Sequence, residues 1–264
     1  MALDTAQYLL GALSGGLVGF TLGLVGGGGS ILAVPLMVYL VGVSDAHVAI
    51  GTSALAVAAN ALTGLASHAR AHTVKWRCGG IYAVAGIAGA FAGSTLGKAV
   101  NGQKLLFLFA VLMIGIGILM LRGRHDQGVT GAQCTRENAP KVAGFGLATG
   151  IFSGFFGIGG GFLIVPGLIA STRMPIINAV GTSLMAVAAF GLTTALNYAA
   201  SGLIDWGLAL VFISGGVAGG VFGVVAAHKL AGNRGQLTTI FASLVFVVAA
   251  YMMWRSSTVF VHAL

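Results

Sequence analysis

The amino-acid sequence predicts an all-α membrane protein of two inverted structural repeats, each with about five helical segments and short or re-entrant half-helices after Gly-rich breaks. Three observations predict it. Hydrophobic residues make up 57% of the 264 and charged residues only 7%, where soluble domains carry roughly 25%. The apolar residues come in continuous runs of near-spanning length, about 20 residues for a helix, without the alternation of an outer-membrane barrel. Finally, the second half of the chain echoes the first.

The first repeat covers 1–121, with apolar segments at Tyr8–Val25, Ile31–Val43, Val48–Ala66, Cys78–Leu96 and Leu105–Leu121. A polar connector over 122–141 holds Arg122, Arg124, Asp126, Arg136 and Glu137. The second repeat, 142–264, has segments at Val142–Phe156, Phe162–Ala170, Ile176–Ala200, Leu208–Ala227 and Leu237–Trp254. At an offset of 130, VAIGTSALAVAANALT (Val48–Thr63) lies over NAVGTSLMAVAAFGLT (Asn178–Thr193) with ten identities in sixteen. Trp76 then meets Trp206, and Gly86, Gly89 and Gly93 meet Gly216, Gly219 and Gly223. Weak internal symmetry of this kind recurs in secondary transporters.

Loop charge sets the orientation. The loop before Trp76 holds Arg70, Lys75 and Arg77, while its counterpart before Trp206 holds no base and one acid, Asp205. Equivalent loops of opposite character belong on opposite faces, so the halves are inverted. With the first loop inside, ten of the thirteen Lys and Arg lie inside, leaving Lys98, Lys104 and Arg255 outside, as the positive-inside rule expects. Both termini then face outward. Inversion requires an odd number of crossings per half, either five or three. Ile31–Val43 would reach only about 20 Å as a helix against a core of roughly 30 Å, which favours half-helices meeting inside the membrane. The net charge of +8 is spread over such loops and does not indicate nucleic acid.

The chemistry concentrates at two related stretches, GLVGGGGSILAVP (Gly23–Pro35) and GFFGIGGGFLIVP (Gly154–Pro166). No span carries an acid or base near its middle. Asp45, His47, His68, Lys98, Asp205 and His228 fall at segment ends and read as interfacial, with a proton-coupling histidine left open. A helix starting at mid-depth has leading N–H groups without intrahelical partners, and these favour an anion. The candidate anion cradles are therefore Gly26, Gly27, Gly28, Gly29 and Ser30, and Gly157, Gly159, Gly160 and Gly161. Thr52, Ser53, Thr182 and Ser183 of the two GTS motifs could hydrogen-bond the solute, or bond back to their own helices. Asn60 shares a helix face with Ser53 while its counterpart is Phe190, so a site including Asn60 is asymmetric. Gly15, Gly19 and Gly23, like Gly146, Gly150 and Gly154, have the four-residue spacing of helix packing.

Other chemistries fail. Gly26–Ser30 is followed by Ile, not the Lys of a P-loop, and Gly150–Gly154 (GIFSG) is not a nucleophile elbow. No HExxH or acidic metal cluster occurs, so neither a cofactor nor a metal is expected, and an intramembrane enzyme lacks its residues. Cys78 and Cys134 have no framework spacing and read as incidental. The N-terminus MALDTAQ lacks the basic region of a cleavable signal.

The doubled Gly-rich-Pro stretches, each followed by GTS, resemble the TauE/SafE sulfite exporter family from about Leu10 to Trp254. The resemblance implies an inner-membrane carrier that exports sulfite or an organosulfonate such as sulfoacetate, without enzymatic activity. A passive channel for the same anions, or an importer of thiosulfate-like anions, are the alternatives. Expected partners are the small sulfur-containing anion and the lipid bilayer, with a homodimer allowed.

Overall fold

The computed structural model describes residues 4–122, 134–229 and 234–261; Arg124 and Asp126 of the connector lie outside them. Among the described residues the chain is helical throughout, without strands: α1 (Thr5–Val25), α2 (Ala33–Pro35), α3 (Ala46–Arg70), α4 (Trp76–Ala99), α5 (Gly102–Arg122), α6 (Ala139–Phe156), α7 (Gly161–Thr172), α8 (Ile176–Ala199), α9 (Trp206–Lys229) and α10 (Arg234–Val261). Starts follow local chemistry. Asp45 caps α3, its carboxylate accepting from His47 N (2.8 Å) and Val48 N (3.4 Å), as an N-cap acid does. Asp205 accepts from Leu208 N (2.9 Å) at the start of α9, and Pro175 precedes α8.

The first Gly-rich stretch departs from expectation. Its glycines do not interrupt the helical winding; Gly26–Leu32 form a 3₁₀ turn that leads into α2 and then a π-helical segment, Leu36–Leu40. The chain bends back sharply enough that a Cβ on Gly29 would lie 2.5 Å from the Thr21 carbonyl carbon. Residues 28–35 are buried, and tertiary packing on all sides outweighs the poor helix propensity of glycine. The second stretch does break. α6 ends with Gly157 N donating to Ser153 O (2.9 Å), and Gly157, Gly159 and Gly160 have φ of 68°, 64° and 65°, a region that glycine alone enters without strain. α7, at 12 residues, is about 18 Å long and does not cross a core of roughly 30 Å.

Helices pair in equivalent couples: α1 packs on α9, α6 on α4, α3 on α8, and α5 on α10. Glycines set the close approach. Cβ atoms on Gly15 and Gly19 would run into the backbone of Phe212 and Gly216; those on Gly146, Gly150 and Gly154 would meet Tyr82, Gly86 and Ala90. Residue numbers rise together along both contacts, so α1 runs parallel to α9 and α6 to α4. At the centre α3 and α8 run antiparallel, with Gly51 against Tyr198 and Gly64 against Leu184. Their facing residues form the core.

Among the described residues, five helices are long and apolar enough to cross a membrane: α1, α3, α4, α8 and α9. Their outward faces carry large apolar side chains such as Leu13, Val84, Leu196, Leu210 and Phe222. An apolar surface this extensive suits lipid rather than water.

One expectation is overturned. Cys78 and Cys134 are joined by a disulfide, with Cα atoms 5.3 Å apart across 56 residues of sequence. The bridge ties the end of the connector to the first turn of α4. Spacing in sequence carries no sign of it, because helix packing brings the two positions together.

Candidate functional site: a glycine-lined waist and a one-sided cavity

The two Gly-rich stretches meet in the middle of the molecule, where the 3₁₀ turn packs on α7 and both lie against α8. Gly157 faces Ile50 of α3, and a Cβ on Gly159 would reach both Val57 (2.8 Å) and Val187 (3.2 Å). Those valines are equivalent residues of α3 and α8, so this waist sits where the two halves cross. Thr21, on the last turns of α1, points its hydroxyl at Val18 O (2.9 Å) and Leu17 O (3.0 Å), with Gly29 O at 3.5 Å.

α7 begins at the waist. Gly160 is its N-cap and accepts from Leu163 N (2.9 Å) and Ile164 N (3.0 Å), while the leading N–H groups of a helix lack intrahelical acceptors. Beside this start lies Ser153, fully buried, with its hydroxyl unpartnered. A Cβ on Gly160 would come within 2.8 Å of Ser153 Oγ, so glycine is required there by both φ and space. Ser153 escapes a repeat-based reading because, with Pro166 aligned on Pro35, its counterpart is Leu22. A polar residue beside the second break, at a position that is apolar in the first half, was the available signal.

The GTS motifs are placed differently. Thr52 Oγ1 accepts from Asp205 N (3.0 Å), and Thr182 Oγ1 accepts from Lys75 N (2.9 Å). The two bonds are equivalent under the repeat, and each ties one half to the loop of the other. Gly64 of α3 lies level with Leu184 of α8, which puts Thr52 and Thr182 about 20 Å apart along the helix axes. They lie toward opposite ends of the central helix pair. Ser53 and Ser183 donate to Ile50 O (3.0 Å) and Val180 O (2.8 Å) of their own helices. Ser53 shares the α3 face of Ile50 and Val57, the two residues that Gly157 and Gly159 approach.

Asn60 opens on a cavity of about 220 Å³ between α1, α3 and α9. Thr63, Ser67 and His68 share its wall with Gly19, Gly23 and Gly216. Asn60 is 5% exposed, and neither its Nδ2 nor its Oδ1 has a partner. The carboxamide lies over Gly216 in the space that a Cβ would occupy. A second, wider mouth of about 610 Å³ opens at the other end of α3, rimmed by Gln7, Gly42, Asp45, Asp205 and Trp206.

The chain matches the family described as Sulfite exporter TauE/SafE over residues 11–252. It belongs to the TauE/SafE family. A "Probable membrane transporter protein" of Xylella fastidiosa (strain 9a5c) is 52% identical over 254 residues, covering 96% of this chain and 97% of the relative. The "Probable membrane transporter protein YunE" of Bacillus subtilis (strain 168) is 29% identical, covering 81% of this chain and 87% of the relative. No solved structure matches. With five candidate spans among its described residues, this TauE/SafE chain is a multi-pass membrane protein of a transporter family.

The two ends of the TauE/SafE bundle differ in charge. The face with Arg70, Lys75, Arg77 and Arg173 is basic; the face with Asp45 and Asp205 is acidic at its mouth. They also differ in how their helix ends are tied. On the acidic face Lys98 Nζ of α4 donates to Asn197 O (3.0 Å), Asn197 Oδ1 (2.8 Å) and Ser201 Oγ (2.9 Å). Asn197 Nδ2 returns to Ser94 Oγ (2.6 Å) and Thr95 Oγ1 (3.0 Å), so α4 and α8 are clamped together. The equivalent positions in sequence are Ser67, Ala71, Val224, Val225 and His228, with no lysine or asparagine among them. Reading segment ends only as interfacial missed this role of Lys98.

Proposed function

We propose that this protein exports a small sulfur-containing anion, sulfite or an organosulfonate such as sulfoacetate, across the inner membrane by alternating access. The observation that carries this reading is the glycine-lined waist. Two Gly-rich stretches from related halves abut in the buried centre, beside the start of α7 and the free hydroxyl of Ser153. Backbone donors at a helix start can hold an anion without a lysine or arginine, and glycine lets the solute approach them. Irregular backbone at membrane depth is tolerated where protein or a watery cavity covers it.

In this reading the halves are inverted, which the antiparallel course of the equivalent helices α3 and α8 supports. The Lys98–Asn197 clamp holds α4 against α8 at the acidic face, closing the counterpart of the Asn60 cavity, while the cavity over Asn60 is reached from the basic face. Charge favours outward passage. A basic rim concentrates anions at one face and an acidic rim repels them at the other. A negative-inside potential adds about 2.3 kcal/mol per charge per 100 mV. Labelled sulfite and sulfoacetate flux in inside-out vesicles tests the proposal: saturable uptake above empty vesicles is expected. No flux of any sulfur anion tried, in folded protein, refutes it.

A further inference from the structure

The repeat is broken at one telling position. Asn60 and Phe190 are equivalent residues, and each lies over an equivalent glycine. A Cβ on Gly216 would overlap the Asn60 carboxamide, and one on Gly86 would overlap the Phe190 ring. Around Asn60 the walls stand apart and leave the cavity of about 220 Å³. Around Phe190 the equivalent space is filled. The Phe190 ring is fully buried and stacked on Tyr82, centroids 6.3 Å apart at 20°. Tyr82 in turn accepts from Thr149 Oγ1 (2.8 Å). Tyr198, the counterpart of His68, is also fully buried.

We propose that the Asn60 cavity is a solute site on the basic side of the waist, for a small oxyanion bound on the Asn60 carboxamide, and that Phe190 stoppers its counterpart in the other half. The proposal rests on the transport reading above and names a residue that holds the solute. Polar neighbours in the wall are already engaged. Thr63 Oγ1 donates to Asn60 O (2.7 Å), Ser67 Oγ lies 3.4 Å from Thr63 O, and His68 Nδ1 pairs with Thr73 Oγ1 (2.8 Å). That leaves the Asn60 carboxamide, nine-tenths buried, with two N–H donors and an acceptor unused, and buried polar groups are rarely left so.

The donors suit an oxyanion, and a water on Oδ1 completes the set. Among the described residues no acid lines the cavity, so a cation finds no counter-charge there. At about 30 Å³ per water, the volume takes a small oxyanion with several waters. Stoppering the counterpart leaves one such cavity, on the basic side of the waist, instead of two. A solute entering from the basic face passes Ser67 and His68 and reaches Asn60 one helix face away from the waist.

The test uses full-length protein with Cys78→Ser and Cys134→Ser, in membrane vesicles of both orientations. Asn60→Cys, with Thr63→Cys as a second reporter, is labelled with a membrane-impermeant maleimide. Labelling at least tenfold faster from the basic face is expected, with Phe190→Cys labelled from neither. Sulfoacetate or sulfate is expected to slow labelling of the Thr63→Cys reporter at least fivefold, and Asn60→Leu is expected to abolish that protection. Labelling of Asn60→Cys from the acidic face, Phe190→Cys labelled as fast as Asn60→Cys, or no protection by either anion overturns the site. Flux measured in the same vesicles separates the two readings. Protection without flux refutes the carrier and leaves the site; flux without protection refutes the site and leaves the carrier.

Discussion

Lys98→Met is the most informative perturbation of the acidic face. The variant keeps the apolar stem and removes three donor contacts, to Asn197 O, Asn197 Oδ1 and Ser201 Oγ. A hydrogen bond to a charged group contributes about 1.5–3 kcal/mol when buried. Lys98 is half-buried, so solvent screens it, and Asn197 keeps its bonds to Ser94 and Thr95. The clamp as a whole then contributes about 2 kcal/mol to the closed acidic face, or a factor of about thirty at 1.4 kcal/mol per tenfold. The reporter is Thr193→Cys, counterpart of the cavity residue Thr63, with the two native cysteines replaced by serine. Impermeant maleimide applied at the acidic face is expected to label it ten- to thirtyfold faster in Lys98→Met than in the parent. An unchanged rate, or an equal rise in the control Lys104→Met, refutes the clamp.

Three further outcomes follow from the geometry. Gly160→Ala is expected to lower thermal stability in detergent by about 1–2 kcal/mol from the left-handed backbone alone, and to cut transport. Ser153→Gly relieves its clash but not its strain, so only part of the loss returns; full stability of Gly160→Ala would contradict the α7 start described. Thr52→Val and Thr182→Val are expected to cost about 1 kcal/mol each, equally and without changing the KM for the anion, because each oxygen holds a loop of the other half. A several-fold rise in KM at unchanged stability would instead make those hydroxyls solute ligands. Copper-phenanthroline oxidation is expected to shift the purified protein on non-reducing gels, and Cys78→Ser to abolish the shift. In the chain-entropy view, closing a loop of 56 residues stabilises by about 4 kcal/mol, so reduction should lower Tm. In growing cells both thiols should stay alkylatable if the basic face is cytoplasmic, since that compartment keeps thiols reduced.

Much of the architecture was legible from local composition. Apolar run length marks helices in lipid, and the helix positions follow the predicted segments closely, as with Ile176–Ala200 against α8 (Ile176–Ala199). Asp45 and Asp205 mark helix starts through a bond two or three residues away. The glycine spacing at 146, 150 and 154 reports a packing face, because only a missing Cβ admits the α4 backbone.

The form of the first Gly-rich stretch was not legible. Gly-Gly-Gly-Gly is compatible with a break or a tight turn, and burial chose the 3₁₀ turn. Nor could spacing place Thr52 on Asp205 N, Thr182 on Lys75 N, Cys78 on Cys134, or Lys98 on Asn197. Those contacts span 56 to 153 residues of sequence and exist only once α3 crosses α8 and α4 packs on α8.

The amino-acid sequence alone determined that this is a helical membrane protein with a doubled, glycine-marked centre, because burial in lipid and backbone freedom are properties of short stretches. It also carried the Asn60–Phe190 difference, as one mismatch in an alignment of halves. Only the tertiary structure decided what that mismatch does. An amide leaves a cavity open over Gly216, while a ring fills the same space over Gly86. Volume between packed helices is a property of the pair that encloses it, and no single segment contains it.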